Sequence, residues 1–328
     1  MLEEAAERHP EVAARPDAVR QPSGDHAHPK VSIGLPVWNG EEFLPQALDS
    51  LLGQTFSDFE LIISDNASTD ATEAICMAYS ARDSRIRYYR NAENVGLQAN
   101  TQRVLDIATA PLFMWACHDD VWDVTYVQKM VDQLDQDPSL VLAGCNAASI
   151  DERGTLRTFY DNCRVYSLNT PFERARRLIG EHPQGGHAFL IVAVMRTDVA
   201  QRLSLADFNA ISNLNRGKYA WDKRALFRLV FEGDFYVSNE TMYYHRDVND
   251  AWWGRRKPAD RSLRAKMRRA IQHTLDLHDY FDTLRRVVLR SRLTPGEKTS
   301  LVAISGLHEV RYVAAFYGSR LRLPGSRG

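Results

Sequence analysis

Residues 31–70 read VSIGLPVWNGEEFLPQALDSLLGQTFSDFELIISDNASTD, and their patterning decides the fold class. Val31–Val37 is a short apolar strand. The polar step Trp38-Asn39-Gly40-Glu41-Glu42 follows, in which Asn39 suits a helix N-cap with Glu42 three residues on, a variant of the capping box. Phe43, Leu44, Ala47, Leu48, Leu51 and Leu52 then form a helical stripe. Phe59–Ile63 is a second buried strand ending in the polar turn 64–70, and a helix runs on through Tyr79. Working outward, Arg85–Tyr89 is a third strand, 91–96 a loop and 97–109 a helix. Pro111–Ala116 is a fourth strand that ends in Cys117-His118-Asp119-Asp120. A helix over 124–135 and a strand Leu140–Cys145 complete the series. Strand and helix alternating in this way predict an α/β fold with a mostly parallel sheet flanked by helices. Ligands of such sheets bind outside the carboxyl ends of the strands. The polar clusters 38–40, 65–70 and 117–120 all fall at such ends.

The second half is less regular. Thr170-Pro171-Phe172-Glu173 is a capping box with proline at the first helical position, opening a helix to Ile179. His187–Arg196 reads as a strand, 222–231 as a helix and Phe235–Asn239 as a strand. Beyond 258 the chain reads as helical, with Leu263, Met267, Ile271, Leu275, His278, Leu284 and Val288 near one face. Thr294-Pro295-Gly296-Glu297 opens a last helix with another capping box. Residues 1–29, rich in Ala, Pro, Glu and Arg without periodicity, read as a disordered tail.

The chain has 328 residues, 44% hydrophobic and 25% charged, which excludes a mostly disordered or collagen-like chain. A net charge of −1 excludes a globally basic nucleic-acid binder. The charge is unevenly spread: residues 251–328 hold 17 Lys/Arg against 6 Asp/Glu. Cys76, Cys117, Cys145 and Cys163 form no C-x-x-C pair and read as reduced thiols. Acidic residues stand where a secretory signal would be basic, and the longest apolar run, Ala188–Met195, has strand length. These features point to a cytoplasmic protein.

The groups able to do chemistry sit at the strand ends. Asp119 and Asp120 are adjacent acids after an apolar strand. A hard divalent cation would satisfy them; a solvated turn or helix cap would also explain them. Asp65 suits a hydrogen bond to a base or ribose, or an Asx-turn. Trp38 could stack on a nucleobase or simply pack. Asn94-Val95-Gly96 suits a close backbone approach to a ligand or an ordinary loop. Asp222, at a helix start, suits either the helix dipole or a general base facing an acceptor hydroxyl. Arg224 and Arg228 suit an ion pair or a solvated face. His245 suits a metal or phosphate contact, or a structural role.

Taken together, 31–70, Asn94-Val95-Gly96, the HDD at 118–120, WDKRALFRLVFEG at 221–233 and YYHR at 243–246 resemble inverting family 2 glycosyltransferases of the GT-A fold. The resemblance covers about residues 30–250. It implies a Rossmann-like GT-A domain with a C-terminal helical extension. Residues 30–148 would be the nucleotide-sugar-binding half, 149–250 the acceptor half and 251–328 a basic helical extension. Pro36, Trp38, Asn39, Asp65, Asn94 and Gly96 would border the nucleotide. Asp119, with Asp120 and His245, would hold Mn²⁺ or Mg²⁺ on the donor diphosphate, Cys117 replacing the first acid of the D-x-D element. Asp222 would be the catalytic base. The acceptor implied is a saccharide of a surface polysaccharide or a lipid-linked glycan. Two other readings stand beside it: a nucleotidyltransferase, disfavoured by the lack of a Gly-rich phosphate loop, and a degenerate, non-catalytic binding subunit. The basic segment 255–292 suits contact with an anionic membrane surface, or a helical pair packed on the domain with its arginines in solvent; interrupting acids favour the second.

Overall fold

The strand β1 (Val31–Val37) is buried along its length except for the half-buried Pro36, which is why its near-continuous apolar run reads as a central parallel strand. The computed structural model describes residues 28–160, 167, 170–180, 186–203, 221–247 and 262–320. The expected tail falls almost wholly outside them, as do Cys163 and residues 255–261 of the basic segment. After β1 come α1 (Leu44–Leu52), β2 (Phe59–Asp65), α2 (Thr72–Ser80), β3 (Ile86–Arg90), α3 (Leu97–Ile107), β4 (Leu112–Trp115), β5 (Val121–Trp122), α4 (Tyr126–Gln136), β6 (Leu140–Ile150) and β7 (Leu156–Tyr160). Then follow α5 (Pro171–Gly180), a 3-10 segment (Gly186–Val192), β8 (Val194–Arg196), α6 (Thr197–Gln201), α7 (Trp221–Leu229), β9 (Asp234–Arg246), α8 (Leu263–Arg290) and α9 (Pro295–Arg320).

The described strands form one sheet in the order β3-β2-β1-β4-β8-β6-β9-β5, with β7 also on β6. The pairs β1·β2, β2·β3 and β1·β4 are parallel, in register Leu35↔Ile63, Ile63↔Tyr88 and Ile33↔Met114. β8 enters antiparallel between β4 and β6. β6 is buried over all its residues and runs parallel to β9 along its whole length. One apolar cluster fills both faces, joining the sheet to Leu44, Leu48 and Leu51 of α1, Val104 of α3, Val127 and Met130 of α4, and Leu226 of α7.

The expected elements of the first half are present, but the start of α1 differs. The helix begins at Leu44, not after Asn39, and Asn39 has φ +50°. Its side chain is drawn to a partner 30 residues away, described below, and so does not cap locally. The expected strand over His187–Arg196 is mostly the 3-10 segment, with β8 only at its end. A short buried apolar run has no periodicity that separates the two. β9 runs well past the expected Phe235–Asn239, and β5 and β7 have no counterpart in the sequence reading. Both capping boxes are present: Glu173 N donates to Thr170 Oγ1 at 3.2 Å, and Thr294 N and Glu297 N bond each other's side chains at 2.8 and 3.3 Å.

The helical pair α8–α9 packs on the domain. On α8 the buried apolar positions among the described residues are Leu277, Tyr280, Phe281, Leu284 and Val288; Ile271 and His278, expected on that face, are exposed, and the side chains of Leu263 and Met267 lie outside the described residues. Tyr312 of α9 donates its hydroxyl to Gly180 O of α5 at 3.0 Å. No described helix is long and apolar enough to cross a membrane.

Candidate active site

The strand order reverses at β1: the chain goes to β2 and β3 on one side and then crosses to β4 on the other. A crevice opens outside the carboxyl ends at such a point. Here the β1·β4 ladder ends at Gly34↔Trp115, with Ala116 N donating to Gly34 O at 2.8 Å. Pro36, the next residue facing β4, has no N–H to continue it. Trp38 stands at the mouth, 44% exposed.

The two walls of this crevice are tied together locally. Asn39 donates its amide to Ser68 Oγ at 2.9 Å and accepts from Thr69 N through Oδ1 at 2.8 Å. Its left-handed backbone is one that asparagine tolerates. Gly40 donates to Thr72 Oγ1 at 2.9 Å. A Cβ at Gly40 would stand 2.6 Å from His118 Cδ2, so only glycine lets the loop after β1 close on the loop after β4.

Asp65 is fully buried. Its Oδ1 accepts from Ser68 N at 2.8 Å, and its Oδ2 from Tyr88 Oη at 2.9 Å and from the Arg90 guanidinium. It thus forms the turn expected of an Asx residue and anchors Arg90. Asn94, by contrast, ends a chain of buried amides. Asn66 Nδ2 donates to Asn94 Oδ1, Asn91 Nδ2 to Asn66 Oδ1 and to Asn100 Oδ1, and Asn100 Nδ2 to Ser64 O, at 2.8–3.0 Å. Gly96, at φ +88°, donates to Asn94 Oδ1 at 2.9 Å and precedes α3. Tyr88, Arg90, Asn66, Asn91 and Asn100 were not singled out from sequence. The period-2 spacing of Tyr88 and Arg90 on β3, which places both on one face, was the available signal.

On the β4 side, Cys117, Asp119 and Asp120 bring their ligand atoms within 4.8 Å of one another. Asp120 is fully buried. Tyr243 donates its hydroxyl to Oδ2, Arg246 N donates to Oδ1 at 2.9 Å, and His245 Nδ1 lies 3.2 Å from Oδ1. Burial alone would raise its carboxyl, but His245, Tyr243 and the Arg246 amide together hold it low. Asp119 is raised, first by burial and then by the charge of Asp120. Among the described residues its carboxylate accepts no side-chain hydrogen bond. The Cys117 thiol is pushed well up by burial, with Asp120, Asp119 and Asp222 adding to the shift. His245 is raised: burial opposes this, but the bond to Asp120 prevails. Its ring packs at a tilt of 47° against Phe189, centroids 5.3 Å apart.

This meeting of residues 120 and 245 depends on β5, which pairs Val121↔Tyr244 and Trp122↔Tyr243. Arg246 locks it. The buried guanidinium donates to Asp119 O and Asp151 O at 2.8 and 2.9 Å and to Gln46 Oε1, and lies 4.5 Å from the Phe43 ring centroid. Asp222 sits in the first turn of α7 and accepts from Lys223 N at 2.9 Å. Burial raises its carboxyl, and its charge adds to the upward shift at Cys117. The Trp221 side chain lies outside the described residues. Arg224 and Arg228 are structural: Arg224 is buried against Asp279 at 2.9 Å, and Arg228 donates to Leu203 O at 3.0 Å and Arg202 O at 3.1 Å.

The family model of glycosyl transferase family 2 matches residues 32–200, half of the chain. The chain belongs to this family. An uncharacterized glycosyltransferase of Rickettsia typhi is 30% identical over 140 residues, 42% of this chain and 43% of that protein. The putative glycosyltransferase EpsE of Bacillus subtilis is 32% identical over 127 residues, 38% of this chain and 46% of its own. The matches thus span less than half the length of these curated relatives. The fold of this family 2 chain is similar to that of S. aureus TarS 1-349, solved also with UDP and with UDP-GlcNAc (TM-score 0.60, 16% identity, 90% of this chain and 75% of that chain). It is also similar to the mannosyltransferase PcManGT from Pyrobaculum calidifontis, solved with GDP-Man and Mn²⁺ (TM-score 0.51, 14% identity, 95% and 79%). These likenesses show the GT-A-type fold.

Proposed function

We propose that this chain is an inverting, metal-dependent glycosyltransferase that moves a sugar from a nucleoside-diphosphate donor to an acceptor hydroxyl. The observation that carries the reading is the cluster of Cys117, Asp119 and Asp120 beyond β4, with His245 on Asp120 and the charge of Asp222 acting on Cys117. Residues 30–148 supply the donor side: Trp38 and Pro36 flank the nucleoside, and Asn39, Asp65, Asn94 and Gly96 shape the loops around it. Asp65 acts through Arg90 and the 65–68 turn, because both its oxygens are engaged. Residues 149–250 shape the acceptor side.

The donor set fits a divalent ion. Asp119 offers a half-buried carboxylate without a side-chain hydrogen bond, and Asp120 with Cys117 completes a compact ligand group. The bound ion supplies Lewis-acid stabilisation of the departing diphosphate. Asp120 also holds His245 through Nδ1 at 3.2 Å, leaving Nε2 to meet metal or phosphate. Asp222, its affinity for protons raised by burial, takes the proton from the acceptor oxygen as that oxygen attacks the anomeric carbon. A single displacement inverts that carbon. The TarS and PcManGT complexes suggest uridine and guanosine donors as the first to screen, and a saccharide of a surface polysaccharide or a lipid-linked glycan is the acceptor class proposed.

The test is product mass after incubation with nucleotide sugars, Mn²⁺ and saccharide acceptors. A product heavier by one glycosyl unit supports the reading; transfer of a nucleoside monophosphate replaces it with nucleotidyl transfer. Asp222→Asn is expected to lower turnover by about 10²–10⁴-fold, the usual worth of a general base, with circular dichroism unchanged. Full activity in that variant removes the base assignment.

A further inference from the structure

The ligand group at the end of β4 contains a thiol. Cys117 Sγ shares with the Asp119 and Asp120 carboxylates a region in which all three ligand atoms lie within 4.8 Å of one another. Donor atoms on one first-row ion stand about 3–4.4 Å apart, given metal–ligand distances of about 2.0–2.3 Å. The three atoms are therefore within a few tenths of an ångström of a common shell. Cys117 is part-buried and free of any disulfide. Its neighbour Asp120 is already held by Tyr243, His245 and the Arg246 amide. Asp120 also accepts a hydrogen bond from the Cys117 thiol, so Cys117 and Asp119 are the members not held by β9, and the thiol proton lies toward Asp120 within the ligand group.

We propose that Cys117 ligates the divalent ion as a thiolate beside Asp119, making this a mixed sulfur–oxygen site that selects thiophilic ions such as Zn²⁺, Cd²⁺ or Co²⁺ over Mg²⁺. The inference rests on the metal reading given above. Carboxylate-only sites suit Mg²⁺ and Mn²⁺, whereas thiolate ligands select softer ions. The balance is simple: the S–H bond breaks, its proton leaves to solvent and a metal–sulfur bond forms, with no change of oxidation state. Burial and three carboxylates oppose a free thiolate here; an ion's charge reverses that and deprotonates a coordinating thiol outright.

The experiment uses Co²⁺ as the probe on the full chain. Saturating Co²⁺ is expected to give a sulfur-to-cobalt charge-transfer band in the near ultraviolet, lost in Cys117→Ser and Asp119→Ala and kept in Cys163→Ser. Displacement of Mn²⁺, followed by electron paramagnetic resonance, should show Cd²⁺ affinity falling by about tenfold or more in Cys117→Ser, at least the effect of losing an outer-shell partner. Cys117→Asp, which restores a carboxylate, should lose the band and gain Mg²⁺ affinity. Thermal melts of each variant confirm folding. Co²⁺ binding without the band, or a band that persists in Cys117→Ser, overturns the proposal and leaves the metal reading standing. Absence of both Mn²⁺ and Co²⁺ binding overturns both.

Discussion

Glu60 and Asp222 are two buried acids whose environments push them in opposite directions. Glu60 lies on β2, at the amino end of the sheet. Burial would raise its carboxyl, but Ser32, Thr109 and the Arg87 guanidinium bond it and hold it below the ordinary value. Such a depressed acid contributes stability that is present above its unfolded pKa of about 4.3 and is lost as pH falls through the lower folded value. Glu60→Gln should therefore cost about 3 kcal/mol near neutral pH, the low end for breaking a buried pair. The gap from wild type should close below about pH 4 in urea titrations. A gap independent of pH would sink the account. At Asp222 burial prevails over the lowering effects of the Lys223 amide and the Lys223 charge, and raises it. As the base it must be ionised, and kcat/KM should fall with acid along a limb lying above the ordinary aspartate value of about 3.9. A rate profile flat down to about pH 4 argues against Asp222.

Two elements do the positioning. β9 carries Tyr243, His245 and Arg246 past the end of β4, and the two-residue β5 fixes the register of that meeting. α7, which bears Asp222, is gripped from behind by α8: Arg224 pairs with Asp279, donates to Thr283 Oγ1 at 3.2 Å and lies over the Tyr280 ring. The helical pair therefore sets where the helix bearing Asp222 sits. Asp279→Asn leaves the buried Arg224 without its counter-charge and should destabilise by about 3–5 kcal/mol. Because the donor side is untouched, kcat should fall while the affinity for nucleoside diphosphate, read by calorimetry, stays at the wild-type value. Loss of nucleotide affinity in equal measure would show that α8 supports the whole domain and not the base in particular.

At the scale of the molecule, the loops that follow β1 and β2 bond each other, and β9 meets the loop after β4. On the function proposed above, a donor nucleotide with Mn²⁺ would touch several of these loops at once and should stabilise the folded form. At about 100 times its dissociation constant the gain is about 2.7 kcal/mol, seen as a rise in Tm that needs nucleotide and metal together. A rise with nucleotide alone, unchanged by Mn²⁺, speaks against the metal assignment. That these polar loops follow the carboxyl ends of parallel strands was legible in the chain itself. Alternating strands and helices from Val31 to Cys145 specify parallel pairing, and polar residues at 38–40, 65–70 and 117–120 mark its ends, because buried strands hold few polar side chains except where they leave the core. Local chemistry likewise fixed the capping boxes at Thr170 and Thr294. What only the tertiary structure decided were the pairings between distant residues. Asn39 gave up a local cap for Thr69, Asp65 turned inward to Tyr88 and Arg90, Asp120 found His245 125 residues away, and Arg246 found Gln46 200 residues away. Sequence patterning reports which face of an element is buried; which buried polar groups then satisfy one another depends on how the sheet curls, and no periodicity along the chain encodes that.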